Sequence, residues 1–125
     1  MGHVVYSAVI LDHFRHPRYA GEIDDADLVG EANNPLCGDR IRIGIRLEGS
    51  AIGEARFHAE ACAICTAAAS LLMERIQGMS LIAATEVNEA ELAAALRADI
   101  PAERERCATL PLEALRCARS PVPPE

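Results

Sequence analysis

The most regular alternation of apolar and polar residues runs from Arg40 to Leu47. There Ile41, Ile43 and Ile45 fall on one face, and Arg40, Arg42 and Arg46 on the other. A period of two marks a half-buried β-strand. The following Glu48-Gly49-Ser50 supplies a turn, and Ala51–His58 returns as the hairpin partner. Upstream, VVYSAVILDHFRHPRYAG has the spacing of a short amphipathic helix with Val5, Val9, Ile10 and His13 on one face. Pro17 ends it, because the residue before a proline is pushed out of the helical region. Residues 19–34 are acidic and read mostly as loop, with a short edge strand near Leu28–Val29.

From Cys62 the period changes. CAICTAAASLLMERIQG is rich in helix formers and sets Ile64, Ala67, Leu71 and Leu72 on a wide apolar face, with Gly78 placed to cap its end. Asn88 and Glu91 have the spacing of a capping box for a helix over NEAELAAALRA, which Pro101 closes. The charged AERERC leads into a final helix, ATLPLEALRCARS, constrained by Pro111. Strands and helices are therefore segregated. The expected fold is α+β, a small antiparallel sheet packed against an N-terminal helix and three C-terminal helices. One domain over residues 1–119 and a disordered tail over 120–125 account for the whole sequence, with no repeat and no dividing linker.

Composition narrows the function. Of 125 residues half are hydrophobic, yet there is no Trp and only two Phe and two Tyr, so the core must be aliphatic. No apolar run approaches a membrane span, and the start lacks the basic region of a signal peptide, so a cytoplasmic protein is expected. The net charge is −7 and all twelve basic residues are Arg. An acidic chain without aromatic platforms does not fit nucleic-acid binding, and the absence of Lys excludes Schiff-base chemistry.

Five cysteines, an odd number, point in a cytosolic protein to metal binding or thiol chemistry rather than to a disulfide framework. Cys37 lies on a loop just before the first main strand, Cys62 between the returning strand and the long helix, and Cys107 near the start of the last helix. These junctions can share one end of a two-layer fold, which is where a metal site assembled from separate loops belongs. Helix N-termini at Cys62 and Cys107 would lower the thiol pKa values, and Asp39 offers a harder oxygen as fourth ligand. Cys62 and Cys65 also form a C-x-x-C at a helix start, the local context of a redox pair; against it, no βαβ pattern surrounds the motif. Cys65 otherwise reads as packing or as a spare thiol near the site, and Cys117 as packing. His13 and His16 have a ligand-compatible spacing but read as solvated or capping residues, and His58 as a surface residue. Arg40 and Arg106, which flank Asp39 and Cys107, are open to support of thiolates or to ordinary surface roles.

Three motifs, NPLCGDRI, CAICTAAASLL followed by IQGMS, and RCATLPLEAL, together with the opening LDHFRHPRYAG, resemble in order those of the U-type iron–sulfur cluster assembly proteins: IscU, SufU and the N-terminal domain of NifU. The resemblance implies a scaffold rather than an enzyme, with Cys37, Asp39, Cys62 and Cys107 as ligands of a transient 2Fe–2S cluster or of zinc. It also implies a cysteine desulfurase as sulfur donor, with Cys107 or Cys37 accepting the sulfur, an iron donor, and apo iron–sulfur proteins as recipients. Arg106 stands where IscU members carry His, the proline-rich chaperone motif is absent from DIPAERER, and the stretch from Cys62 to Cys107 is too short for the extra segment of SufU. The chain reads as a short, SufU-leaning member. The rival readings are a zinc domain whose metal only supports the fold or docks a partner, and a thiol oxidoreductase using Cys62 and Cys65.

Overall fold

The computed structural model describes residues 6–120. Its elements are α1 (Ala8–Arg15), β1 (Leu28–Asn34), β2 (Asp39–Glu48), β3 (Ala51–Glu60), α2 (Ala63–Ile76), α3 (Leu81–Thr85), α4 (Glu89–Ala95), a 3-10 turn (Ala102–Arg104) and α5 (Glu105–Arg116). The architecture is the expected α+β, with a three-stranded antiparallel sheet in the order β1-β2-β3. Val5 of the expected helix face and the expected tail beyond Ser120 lie outside the described residues.

Alternation dictates the sheet. Ile41, Ile43 and Ile45 of β2 and Ile52, Ala55 and Phe57 of β3 are buried, while Arg40, Arg42, Arg46 and His58 face out. On the buried face lie α2 and α5. Helix α2 is buried around most of its circumference, touching α1, α5, α4 and β3, and its run of Ala and Ser allows that close approach. The first helix docks through Ile10 and His13. His13 is buried rather than solvated, and its Nδ1 lies 2.7 Å from Ser70 Oγ on α2. That hydroxyl also accepts the Arg18 N–H, joining α1 and the segment after it to α2. Burial, and secondarily the Arg18 charge, hold the His13 pKa below its usual value. The second histidine of the pair, His16, is the exposed C-cap of α1.

Three local expectations change. The edge strand β1 extends from Leu28 to Asn34, pairing with Ile45 through Asp39. Its Gly and Asn residues are poor strand formers, and tertiary packing overrides propensity. At Gly30 the Ala114 carbonyl of α5 approaches so closely that a Cβ would stand 1.9 Å from its oxygen. Pro101 opens the 3-10 turn instead of closing α4, which ends at Ala95 ahead of Arg97 in a left-handed conformation. Asn88 caps α4 as expected, its side chain accepting the Ala90 and Glu91 N–H groups, but the Glu91 carboxylate pairs with Arg75 of α2 at 2.8 Å. An additional short helix, α3, is capped by Ser80.

Gly30, constrained by close packing, and Gly38, constrained by backbone conformation, should respond differently to substitution. Gly30→Ala forces α5 off the sheet and is expected to destabilise the fold by about 3 kcal/mol or more. At Gly38, with φ +77°, an added Cβ would have nothing within 4 Å. It would meet only backbone strain, and Gly38→Ala should cost about 1 kcal/mol. Thermal melts of both variants check this.

Candidate metal centre

Strand register builds the site. Asn34 pairs with Asp39, and Arg40 with Glu60, so the β1–β2 turn and the exit of β3 share one end of the sheet. The Asn34 carbonyl accepts the N–H groups of Cys37 (3.2 Å) and Gly38 (2.8 Å), and its side chain accepts the Leu36 N–H (3.2 Å). The left-handed Gly38 completes the reversal. Cys37 is left exposed at the tip, and β2 begins on Asp39.

Asp39 lies on the same register as the buried isoleucines of β2 and is 2% exposed. A carboxylate there needs hydrogen-bond donors. Its Oδ1 accepts the Cys62 N–H at 3.0 Å, at the N-cap of α2, and its Oδ2 lies 3.6 Å from Cys62 Sγ. Burial alone would raise the Asp39 pKa; the Cys62 N–H and the thiols of Cys37, Cys107 and Cys62 outweigh it and hold the group below its usual value.

From the opposite side α5 brings Cys107, whose Sγ is 3.9 Å from Cys37 Sγ. One ligand-type atom from each of Cys37, Asp39 and Cys107 lies within 4.8 Å of the others, the one such three-residue group among the described residues. Cys62 stands outside that set and joins it through Asp39. Every sequence-expected site residue is therefore at this end of the molecule.

The electrostatics of Cys107 reverse the expectation. It is the third residue of α5 and 1% exposed. Burial first, then the hydrogen bond with Asp39 and the neighbouring Cys62 charge, push its thiol pKa up. The helix terminus does not prevail over desolvation, so any cation bound there would have to displace the proton.

Arg104 is the residue that the sequence reading passed over. Burial works against its charge, but the neighbouring Cys62, Cys107 and Tyr6 hold its pKa up. The signal was in ERERC: residues three apart share a helical face, so Arg104 and not Arg106 turns toward Cys107. Arg106 instead binds Glu113 at 3.1 Å and the Asn33 carbonyl at 3.2 Å, tying α5 to β1. Arg40 is exposed on the outer sheet face. Cys65 is wholly buried and its thiol is pushed up by burial, so it packs and is a poor nucleophile. Cys117, expected as packing, is instead the exposed C-cap of α5. His58 is a surface residue as expected. Among the described residues no helix is long and apolar enough to cross a membrane.

Fold and site agree with the comparisons. The chain belongs to the family described as NifU-like N terminal domain, whose model matches residues 5–121. It is 38% identical over 114 residues to a bifunctional NifU/MnmA protein of Rubrobacter xylanophilus, covering 90% of this chain but 23% of that protein. It is 35% identical over 114 residues to the iron–sulfur cluster assembly scaffold protein IscU 1 of Archaeoglobus fulgidus, covering 91% of this chain and 74% of that one. To the zinc-dependent sulfurtransferase SufU of Bacillus subtilis it is 38% identical over 85 residues, covering 68% of this chain and 57% of the relative. The U-type resemblance is thereby shown, and the family is one of iron–sulfur cluster assembly and sulfur transfer.

Exposure ranks the thiols. With limiting iodoacetamide on the metal-free protein, Cys37 and Cys117 should be alkylated first, Cys62 next, and Cys65 and Cys107 last. Peptide mass spectrometry of the time course checks the order.

Proposed function

We propose that the chain is a scaffold domain, not an enzyme, that accepts sulfur at Cys37 and carries a transient 2Fe–2S cluster on Cys37, Asp39, Cys62 and Cys107. The observation that carries this is the 3.9 Å separation of the Cys37 and Cys107 sulfurs beside the Asp39 carboxylate. Two sulfurs bound at about 2.3 Å to one tetrahedral ion stand about 3.8 Å apart. The donor set thus fits a single zinc or one iron of a cluster without large movement. A bound cation would neutralise the thiolates and stabilise their deprotonated form.

Each residue then has a role set by its surroundings. Cys107, buried on a helix, is the fixed anchor. Cys37, exposed on a turn, is the thiol that an incoming sulfur can reach, and this favours it over Cys107 as acceptor. Its thiolate attacks the terminal sulfur of a persulfide on a cysteine desulfurase; the donor's S–S bond breaks, and the donor cysteine leaves as thiolate. Arg104 offsets the negative charge that gathers at Cys62 and Cys107. Asp39, a harder and weaker ligand for iron than thiolate, makes release to an apo acceptor protein possible. An iron donor, and an electron donor that supplies two electrons to reduce each persulfide sulfur to the sulfide of the cluster while freeing the Cys37 thiolate, complete the set of partners, and the cytoplasm is the expected setting.

A zinc form of the same site is the second reading. It is favoured by the tetrahedral spacing and by the zinc-dependent relative. Anaerobic incubation with a cysteine desulfurase, cysteine and ferrous iron decides between them. A coloured 2Fe–2S spectrum that is lost with Cys107→Ser supports the scaffold, whereas one tightly held zinc and no colour supports the zinc reading. In the coloured protein Asp39→Ala should slow cluster transfer to an apo-ferredoxin. Faster transfer than from the parent would refute Asp39 as the release ligand.

A further inference from the structure

We infer that Leu36 is the contact on which the sulfur-donating partner seats, an apolar knob that enters a pocket beside that partner's reactive sulfur. The inference rests on the sulfur-acceptor reading above. Phe14, Tyr19 and Ile82 are also exposed, but Leu36 stands apart at 95%. A single exposed leucine ordinarily carries no meaning. Two features separate this one: its support and its position.

Its support is a braced turn. The Leu36 N–H is held by the Asn34 side chain, the next two N–H groups are held by the Asn34 carbonyl, and Asn34 itself is 4% exposed. Pro35 restricts the chain on the other side. Residues 35–38 are all exposed, so the turn is a projecting tip with Leu36 fixed upon it. Docking a preformed knob loses little conformational entropy, which is what a transient partner requires.

Its position makes contact unavoidable. Cys107 is 1% exposed and Cys62 only half-exposed, so Cys37, the next residue in the chain, is the most open thiol of the site and the one through which sulfur enters. A donor sulfur on a protein cannot come within bonding reach of Cys37 without covering the tip that carries Leu36. A second copy of this chain is a poor occupant. A cavity of about 340 Å³ on the outer sheet face is lined mainly by charged residues, Glu22, Glu31, Arg40, Arg42 and Glu60, with Ala32 and Ile41 between them, a poor socket for a leucine side chain. The adjoining one, about 40 Å³, does not admit a leucine side chain.

The test uses the full zinc-loaded chain as the varied sulfur acceptor of a pyridoxal-phosphate cysteine desulfurase from the same organism, with Leu36→Asp, Leu36→Ala and Leu36→Met. Affinity is read by fluorescence anisotropy, and sulfur transfer by alanine release. Leu36→Asp is expected to raise Kd and KM about tenfold or more, to leave kcat within about twofold, and to keep zinc content and melting temperature unchanged; Leu36→Met restores the parent values. Parent-like Kd and KM in Leu36→Asp, with sulfur transfer intact, overturn the docking role and leave the sulfur-acceptor reading standing. A parent chain that neither binds nor accepts sulfur overturns both. An effect confined to later cluster transfer assigns the knob to the recipient protein, and a concentration-dependent dimer abolished by Leu36→Asp assigns it to a second copy; either result overturns the inference.

Discussion

The site depends on one buried carboxylate. Asp39 occupies the first inward position of a strand whose next three inward residues are isoleucines, where an unsatisfied charge would cost several kcal/mol. It is tolerated because the α2 N-terminus presents the Cys62 N–H to it and the surrounding thiols complete its hydrogen bonding. That requirement couples the start of β2 to the start of α2. Cys37, two residues earlier, and Cys107, carried in by α5, then converge on the same carboxylate.

What surrounds this point is rigid on one side and open on the other. Helix α2 is clasped by α1, α5 and the sheet, and α5 lies against β1 through the missing side chain of Gly30. Arg106 adds a pin between α5 and the Asn33 carbonyl, one residue before the turn that bears Cys37. Pro111 lacks the N–H that would bond the Cys107 carbonyl four residues back, so the anchor helix is relieved of one hydrogen bond beside the site. The Pro35–Gly38 tip projects from this frame. The proposed role, receiving sulfur and giving up a cluster, would use this asymmetry: buried Cys107 would keep the geometry while exposed Cys37 would meet partners.

Much of this was legible in the residues because the relevant signals are local. The isoleucine alternation defined β2, Asn88 marked the α4 start, and three cysteine motifs in order marked the family and the candidate site. What was illegible depends on tertiary contact. Residues 30–34 lack strand propensity and become β1 through pairing with β2 and the approach of α5. His13 is buried because α1 settles on Ser70, which no periodicity reveals. The helix-terminus argument failed at Cys107 because burial outweighs a dipole that is already fading by the third residue of the helix. Arg104 was within reach of a helical-spacing argument, but the turn that directs it toward Cys62 is a product of the fold.

The central claim is that one hard oxygen and three soft sulfurs form one metal site, which a single zinc ion can probe. Zinc K-edge X-ray absorption on the zinc-loaded chain and on Asp39→Ala addresses it directly. The account predicts three sulfurs at about 2.3 Å and one oxygen at about 2.0 Å in the parent, with that oxygen shell lost or replaced by solvent in the variant. Two sulfurs with nitrogen ligands, or a parent spectrum unchanged by Asp39→Ala, would contradict it.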